Sequence, residues 1–409
     1  MLHRPSLLAE LEKKHAAIVA FERRVEREAG DYVARLDCLT HHDAGRLRDA
    51  MTGGETVGAV PSAEFDLEQK MIRPFQCVWT KHDAARSWAM EILRDRTTFA
   101  ADGSQVLPGR DISLPVACVQ IAVFENPHAA DVPYRKALRL ELVTPDELLA
   151  ADGDRMTPDI VITLKRFEIE VEEIEKFIRS REGWQERGER MPLAFFDGTL
   201  LTSFTRPRTT VRERYATSIA RLMDASEAMR VPVIGFIDQS YARDLTAMLD
   251  YLEGITRRTD NPVCDAQVLR AMRDDDVNND DAHRLAAWGD RTTFCYGVRE
   301  DMHEAFRDGE NRGRIGFVYL QTTSDGTPAR LDIPAWVLDA GLMDETVDTV
   351  RAECVVGNGY PYPIEAADAA AVLSVQDRAQ FLRTVSDFAA NAEFDFQISR
   401  KALSKTHRR

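Results

Sequence analysis

Between residues 98 and 143 the chain carries three β-prone runs joined by turn-rich links, and this feature narrows the possible folds more than any other. The runs are Thr98–Val106, Val116–Phe124 and Ala137–Val143, with turn residues at Pro108-Gly109 and Asn126-Pro127 between them. Parallel neighbours need a crossover connection, usually a helix, so these links make an antiparallel meander. A long amphipathic helix follows, from Pro158 to about Arg181. Its apolar residues Ile160, Leu164, Phe167, Val171, Ile174 and Ile178 recur every three or four positions, the spacing of one face packed on a sheet. Strand Leu193–Leu201, helix Val211–Met229, strand Val231–Ile237 and helix Tyr241–Leu252 complete the order βββ-α-β-α-β-α. A doubly wound sheet would need an early βαβ crossover, which the meander does not supply.

Two of these strands deliver a carboxylate followed by a glycine and a hydroxyl: Phe99-Ala-Ala-Asp102-Gly103-Ser104 and Phe195-Phe-Asp197-Gly198-Thr199. One Asp-Gly-Ser alone is also a common turn. Two copies at strand ends suggest converging carboxylates, the arrangement two-metal phosphoryl chemistry uses to clamp attacking and leaving oxygens with ions about 4 Å apart. Hard Mg²⁺ or Mn²⁺ takes oxygen ligands, and clustered histidine and cysteine are absent. A third carboxylate is expected from helix 158–181. There Glu168 and Glu170 lie on opposite flanks of the apolar stripe, each about 80° from its centre, and either could reach the sheet edge. Gly103 and Ser104 are expected to serve the close approach of metal and phosphate.

Other chemistries lack their residues. A haloacid dehalogenase would carry a nucleophilic aspartate where this chain has Phe195, so no phospho-aspartate can form. The P-loop pattern and the G-x-S-x-G elbow are both missing.

The remaining chain frames this centre. Residues 1–95 read as a helical arm suited to packing or self-association, with a loop over Met51–Pro61. Residues 96–395 form the main domain, with a polar insertion at about 255–290 whose acidic run Asp274–Asp281 is expected to be exposed. Thr293–Val298, Gly316–Leu320 and Ala329–Ile333 read as strands, the last half-exposed by its alternation. Helices are expected at Glu365–Leu373 and Val375–Ala389, and 396–409 is a basic tail. No apolar run reaches membrane-span length, and the first residues lack a signal-peptide h-region. With six scattered cysteines and no C-x-x-C pair, these features lead to the expectation of a cytoplasmic protein with reduced thiols. The net charge of −15 governs solubility and leaves a local phosphate-binding groove open. Arg206, Arg208, Arg212 and Arg214, just after the Asp197 strand, are the leading candidates for DNA backbone contact, with Arg291 and Arg330 as weaker ones.

The element order is similar to the ribonuclease H-like nuclease fold: a mixed sheet, a three-strand antiparallel meander plus parallel strands, flanked by helices. In that fold the first strand, first helix and fourth strand bring carboxylates to one edge. Four pieces of sequence sharpen this: Phe-Ala-Ala-Asp102-Gly-Ser-Gln, Phe-Phe-Asp197-Gly-Thr-Leu, Ala329-Arg-Leu-Asp-Ile-Pro and Gly359-Tyr-Pro-Tyr-Pro-Ile. Together they resemble the NurA family of DNA-repair nucleases over roughly residues 95–390.

The resemblance implies a homodimeric, Mn²⁺- or Mg²⁺-dependent deoxyribonuclease acting beside a HerA-type hexameric translocase. It implies that Asp102 and Asp197 are the family's two aspartates. The family's Arg four residues before a Glu falls on Arg166 and Glu170, favouring Glu170 over Glu168. Its C-terminal Tyr followed eight residues later by His falls on Tyr360 and Asp368, so the last position departs from the family. Asp368 can still bind a hard cation, and Tyr360 would orient substrate or a water. If the substitution weakens the site, the chain would instead be a catalytically weak adaptor of a hexameric ATPase. A second departure is Asp238-Gln-Ser240 where a Lys-Ser-type pair is expected. Asp238 is read as the N-cap of helix Tyr241–Leu252, with an extra ligand as the alternative.

Overall fold

A computed structural model describes residues 3–39, 42–51, 57–68, 71–77, 79–108, 113–150, 157–201, 209–255, 261–271, 285, 287–299, 304–306, 313–324 and 326–392. They form two compact units. One combines Met1–Val78 with Phe236–Leu338, and the other combines Trp79–Gly235 with Asp339–Arg409.

The second unit contains the carboxylates singled out above. In chain order its main elements are α1 (His82–Leu93), β1 (Thr98–Val106), β2 (Ala117–Asn126), β3 (Arg135–Val143), α2 (Pro158–Ser180), β4 (Leu193–Asp197), α3 (Thr209–Met229), the first three residues of β5 (Val233–Ile237), α4 (Met343–Val356), α5 (Tyr362–Ala371) and α6 (Val375–Asn391). The strands lie in the order β5-β4-β1-β2-β3. Pairs β1–β2 and β2–β3 are antiparallel, and β1–β4 is parallel. This is the ribonuclease H-like arrangement that the element order implied, with the meander on one side of β1 and the later strands on the other.

Residue patterning explains which strand is central. Thr98 to Ala101 are all buried, as expected where helices cover both faces. The edge strand β3 alternates exposed and half-buried residues, and its Arg139 reaches Glu172 and Glu173 of α2 at 3.1 and 2.7 Å. Helix α2 buries Leu164, Phe167, Val171, Ile174 and Ile178 of the expected stripe. Phe177 of the same helix stacks on Phe99 with ring centroids 4.5 Å apart.

The other unit contains a helix at Arg4–Cys38 and strands in the order Gly58–Pro61, Cys295–Val298, Ile315–Leu320 and Ala329–Pro334, with Ile72–Arg73 paired to Arg291–Thr292. Several expectations change here. Gly58–Pro61 is a strand, not a loop, because it pairs with Cys295–Val298. Ala329–Pro334 is fully buried, not half-exposed, since Arg330 and Asp332 neutralise each other at 2.8 Å. Within the expected polar insertion, Asp265–Arg270 is a packed helix with Asp265 wholly buried; Asp274–Asp280 lies outside the described residues, as does Asp281. The helix expected from Tyr241 begins at Asp244. Asp238 is therefore not its cap. Asp265 fills that role from a distance, accepting from the backbone N–H groups of Asp244 and Thr246 at 2.9 and 3.0 Å.

Glu353 of α4 is fully buried and accepts from Thr98 Oγ1 at 2.7 Å. Burial pushes its carboxyl up to about 8. The folded protein therefore keeps a proton there that the unfolded chain releases above its ordinary carboxylate range. That contribution to stability is complete at low pH and is lost as pH rises through about 8. Glu353→Gln should remove it. Urea unfolding at pH 6.5 and pH 9 should show wild type losing about 2 kcal/mol more than the variant across that interval; equal losses would contradict the assignment.

Candidate metal centre

The centre is built on a mismatch in strand length. Parallel pairing of β1 with β4 runs from Thr98–Leu193 to Ala101–Phe196. The next residues on the two strands are Asp102 and Asp197, so one more step of the same register sets the two aspartates level. Strand β4 stops there and the chain turns away through Gly198, whose φ of +128° is open to glycine. The sequence extended this strand to Leu201; it ends at Asp197, which places that carboxylate at the strand's exposed tip. Strand β1 continues to Val106, leaving a notch beside Asp102 and Gly103.

Side chains alternate across a strand, which tells which face each group comes from. Gln105 donates to Thr163 of α2 at 3.3 Å, so the odd positions of β1 face α2. Ser104 is paired with Gln120, which donates to the Ala371 carbonyl of α5 at 3.2 Å, so the even positions face α5. Asp102 thus belongs to the α5 face, where Asp368 stands exposed on that helix. Glu170 comes from α2 on the other face and reaches the notch over Gly103. A Cβ at position 103 would sit 2.5 Å from Glu170 Oε1, 2.5 Å from Ile121 Cδ1 and 2.8 Å from Arg166 Cγ. The absence of a side chain at Gly103 leaves the space that Glu170 Oε1 occupies.

The electrostatics agree with this convergence. Burial pushes Glu170 up to about 8, and the charges of Asp102 and Asp197 add to the rise while Arg166 offsets it. Burial likewise pushes Asp102 up to about 6; Asp197 and Asp368 add to it, and the Gly103 N–H and Arg166 oppose it. Each carboxylate therefore feels the others, and protonation relieves part of the repulsion. Tyr360, just before α5, donates its hydroxyl to Asp197 Oδ1 at 2.9 Å. Thus Asp102 feels the charges of Asp197 and Asp368, Glu170 those of Asp102 and Asp197, and Tyr360 is bonded to Asp197, so all five residues lie around the same end of the sheet.

These residues suit a hard divalent cation. Their donors are oxygens, and Glu170 Oε1 is buried without a hydrogen-bond partner. Among the described residues, no group of three His, Cys, Asp or Glu side chains is already drawn together closely enough to hold an ion.

The arginines expected to touch DNA fare differently. Arg206 and Arg208 lie outside the described residues. Arg212 is half-buried in the first turn of α3. Arg214 is committed to Glu168, with Nε–Oε1 and Nη2–Oε2 at 2.7 and 2.5 Å. The same pair turns Glu168 toward α3 and away from the notch, leaving Glu170 as the helix carboxylate there. Arg291 and Arg330 are buried and held by Glu64 and by Asp332 with Asp244, which removes both from consideration as DNA contacts. Arg166 was noted in the sequence only as a partner in a motif; its bond to the Gly103 carbonyl at 2.9 Å has no signature in the sequence.

Comparison with known proteins gives a consistent family. The model of the NurA domain matches residues 96–373, most of the chain. No curated protein matches. Among solved structures, the chain is similar to NurA with manganese at 9% identity and a TM-score of 0.41, covering 72% of this chain and 89% of that one. It is also similar to NurA bound to dAMP and manganese, at 11% identity and a TM-score of 0.30, covering 69% and 85%. The catalytic domain of human endonuclease V matches at 12% identity and a TM-score of 0.30, covering 75% and 96%.

Gly103→Ala tests the geometry directly. The added methyl cannot coexist with Glu170 Oε1 and Ile121 Cδ1 where they stand. Mn²⁺ affinity, measured by calorimetry, should fall about tenfold or more, with the far-UV circular dichroism spectrum unchanged. Wild-type affinity in this variant would show that Glu170 does not need the gap.

Proposed function

The chain belongs to the NurA family, and on that premise we propose that it is a divalent-metal-dependent deoxyribonuclease that hydrolyses phosphodiester bonds. The observation that carries the proposal is that Asp102 and Asp197 follow each other's last paired residues in parallel register, with the buried Oε1 of Glu170, which accepts no hydrogen bond, across Gly103. Asp102, Glu170, Asp197 and Asp368 are the residues that would hold Mn²⁺ or Mg²⁺. When bound, one or two such ions would supply Lewis acidity toward the phosphodiester.

The chain's own residues divide the remaining work. Asp197 and Asp368, exposed at the rim, face the side from which a nucleic acid strand arrives. Glu170 and Asp102 lie deeper and fix the centre of the notch. Tyr360 holds Asp197 by its hydroxyl and orients substrate or a water beside it. Arg206, Arg208 and Arg212 are proposed phosphate contacts. Arg214 contributes mainly through Glu168, fastening α3 to α2. Backbone contacts of this kind would be salt-sensitive and largely independent of sequence.

A HerA-type hexameric translocase as partner, a homodimeric state, a place in DNA end processing or defence, and a cytoplasmic location belong to the same proposal. They rest on the family and on the charge and composition of the chain. One observation favours a second reading: Asp368 stands where the family resemblance calls for His. On that reading the chain is a catalytically weak adaptor of the translocase.

Labelled linear and circular DNA, incubated with Mn²⁺, Mg²⁺ or EDTA, separates the two. The nuclease reading expects degradation by wild type with either metal, none with EDTA, and none by Asp102→Ala, whose melting temperature should stay within a few degrees of wild type. Undiminished cleavage by Asp102→Ala would sink it. No metal-stimulated cleavage by wild type would favour the adaptor.

A further inference from the structure

The Arg166 side chain occupies the notch between β1 and α2 in a way that helix energetics does not explain. On α2 it stands four residues before Glu170, the weaker orientation for an i,i+4 ion pair. Its guanidinium has two neighbours. Nη1 donates to the Gly103 carbonyl at 2.9 Å. That carbonyl points to the β4 side of β1: Leu193 N–H donates to the Thr97 carbonyl, and carbonyls two residues apart along a strand share a direction. Because β4 ends at Asp197, Arg166 supplies the donor that the missing strand residue would have supplied. Its second neighbour is Glu170, with Nε 3.4 Å from Oε1. Both of these atoms are buried and neither makes a hydrogen bond. The pair is close enough to attract, and the oxygen's lone pairs stay uncommitted.

We propose that Arg166 is a positioning residue for divalent-cation binding, clamped to the Gly103 carbonyl so that it holds Glu170 Oε1 at the notch and offsets carboxylate repulsion until the cation arrives. This rests on the reading of the carboxylates as a cation site. Two effects of opposite sign meet here. A guanidinium repels an incoming dication, so its removal would tighten binding if charge alone mattered. Its hold on Glu170 favours binding, so its removal weakens binding if position dominates. The fixed backbone bond and the uncommitted Oε1 place position first.

Calorimetric titration with Mn²⁺ at pH 7, with melting temperatures of the metal-free proteins, tests this on the full chain. Arg166→Met should bind Mn²⁺ about tenfold or more weakly than wild type. Arg166→Lys keeps the charge and loses the forked donor, so it too should bind more weakly. The double variant Arg166→Met, Glu170→Gln should bind no more weakly than Glu170→Gln alone, because Arg166 acts through Glu170. Wild-type or tighter binding by either Arg166 variant would overturn the proposal, as would fully additive losses in the double variant. Asp102→Asn is the separate control: wild-type Mn²⁺ binding by that variant would overturn the underlying cation site itself.

Discussion

Strand β4 is shorter than the neighbour it pairs with, and the candidate centre depends on that difference. Had β4 run on alongside β1 to Val106, a strand would fill the space beside Gly103. Its stop at Asp197 leaves an open edge at which both sheet faces can contribute. Asp102 and Asp368 come from the α5 face, Glu170 from the α2 face, and Asp197 from the strand tip itself. A glycine at 103 then lets a carboxylate from one face reach the edge where the other face ends. The notch lets groups from both faces of the sheet approach one edge.

Such a gathering is costly without a counter-charge. Burial and neighbouring aspartates raise Glu170 and Asp102, which favours the protonated form of both. Among the described residues, Arg166 opposes the rise at both carboxyls, and its bond to the Gly103 carbonyl ties it to the strand backbone. Elsewhere the same economy is used structurally: Glu168 and Glu175 on α2 are matched by Arg214 and Arg221 on α3, seven residues apart on each helix. Those two rungs help hold the rotation of α2 that aims Glu170 at the sheet. Each pair joins a half-exposed arginine to a more buried glutamate, and their use here is to set position.

Much of this was legible in the sequence, for identifiable reasons. Alternation and turn residues located the meander to within about two residues, and the heptad-like stripe located α2, because those patterns are set by which faces are buried. The two Asp-Gly pairs marked β1 and β4. Periodicity alone could not choose between Glu168 and Glu170, since both flank the stripe equally; the family's Arg-to-Glu spacing favoured Glu170, and the bond from Arg214, 46 positions away, accounts for Glu168 lying elsewhere. Nor could it foresee that Arg291 and Arg330 are buried ion-pair partners, because an arginine in a strand reads the same whether it faces water or Glu64. The cap of the helix at Asp244 was misassigned for the same reason: the nearest acid in sequence was Asp238, while the acid that arrives in space is Asp265.

A cation that binds at this notch would displace the proton held by the buried Glu170 carboxyl. Calorimetric Mn²⁺ titrations in buffers of different ionisation enthalpy measure this as protons released per ion bound. With Glu170 at about 8 and Asp102 at about 6, close to one proton should be released at pH 7, and the number should fall toward zero near pH 9 and in Glu170→Gln at pH 7. Mn²⁺ binding at pH 7 with no proton release, or release undiminished in Glu170→Gln, would contradict it.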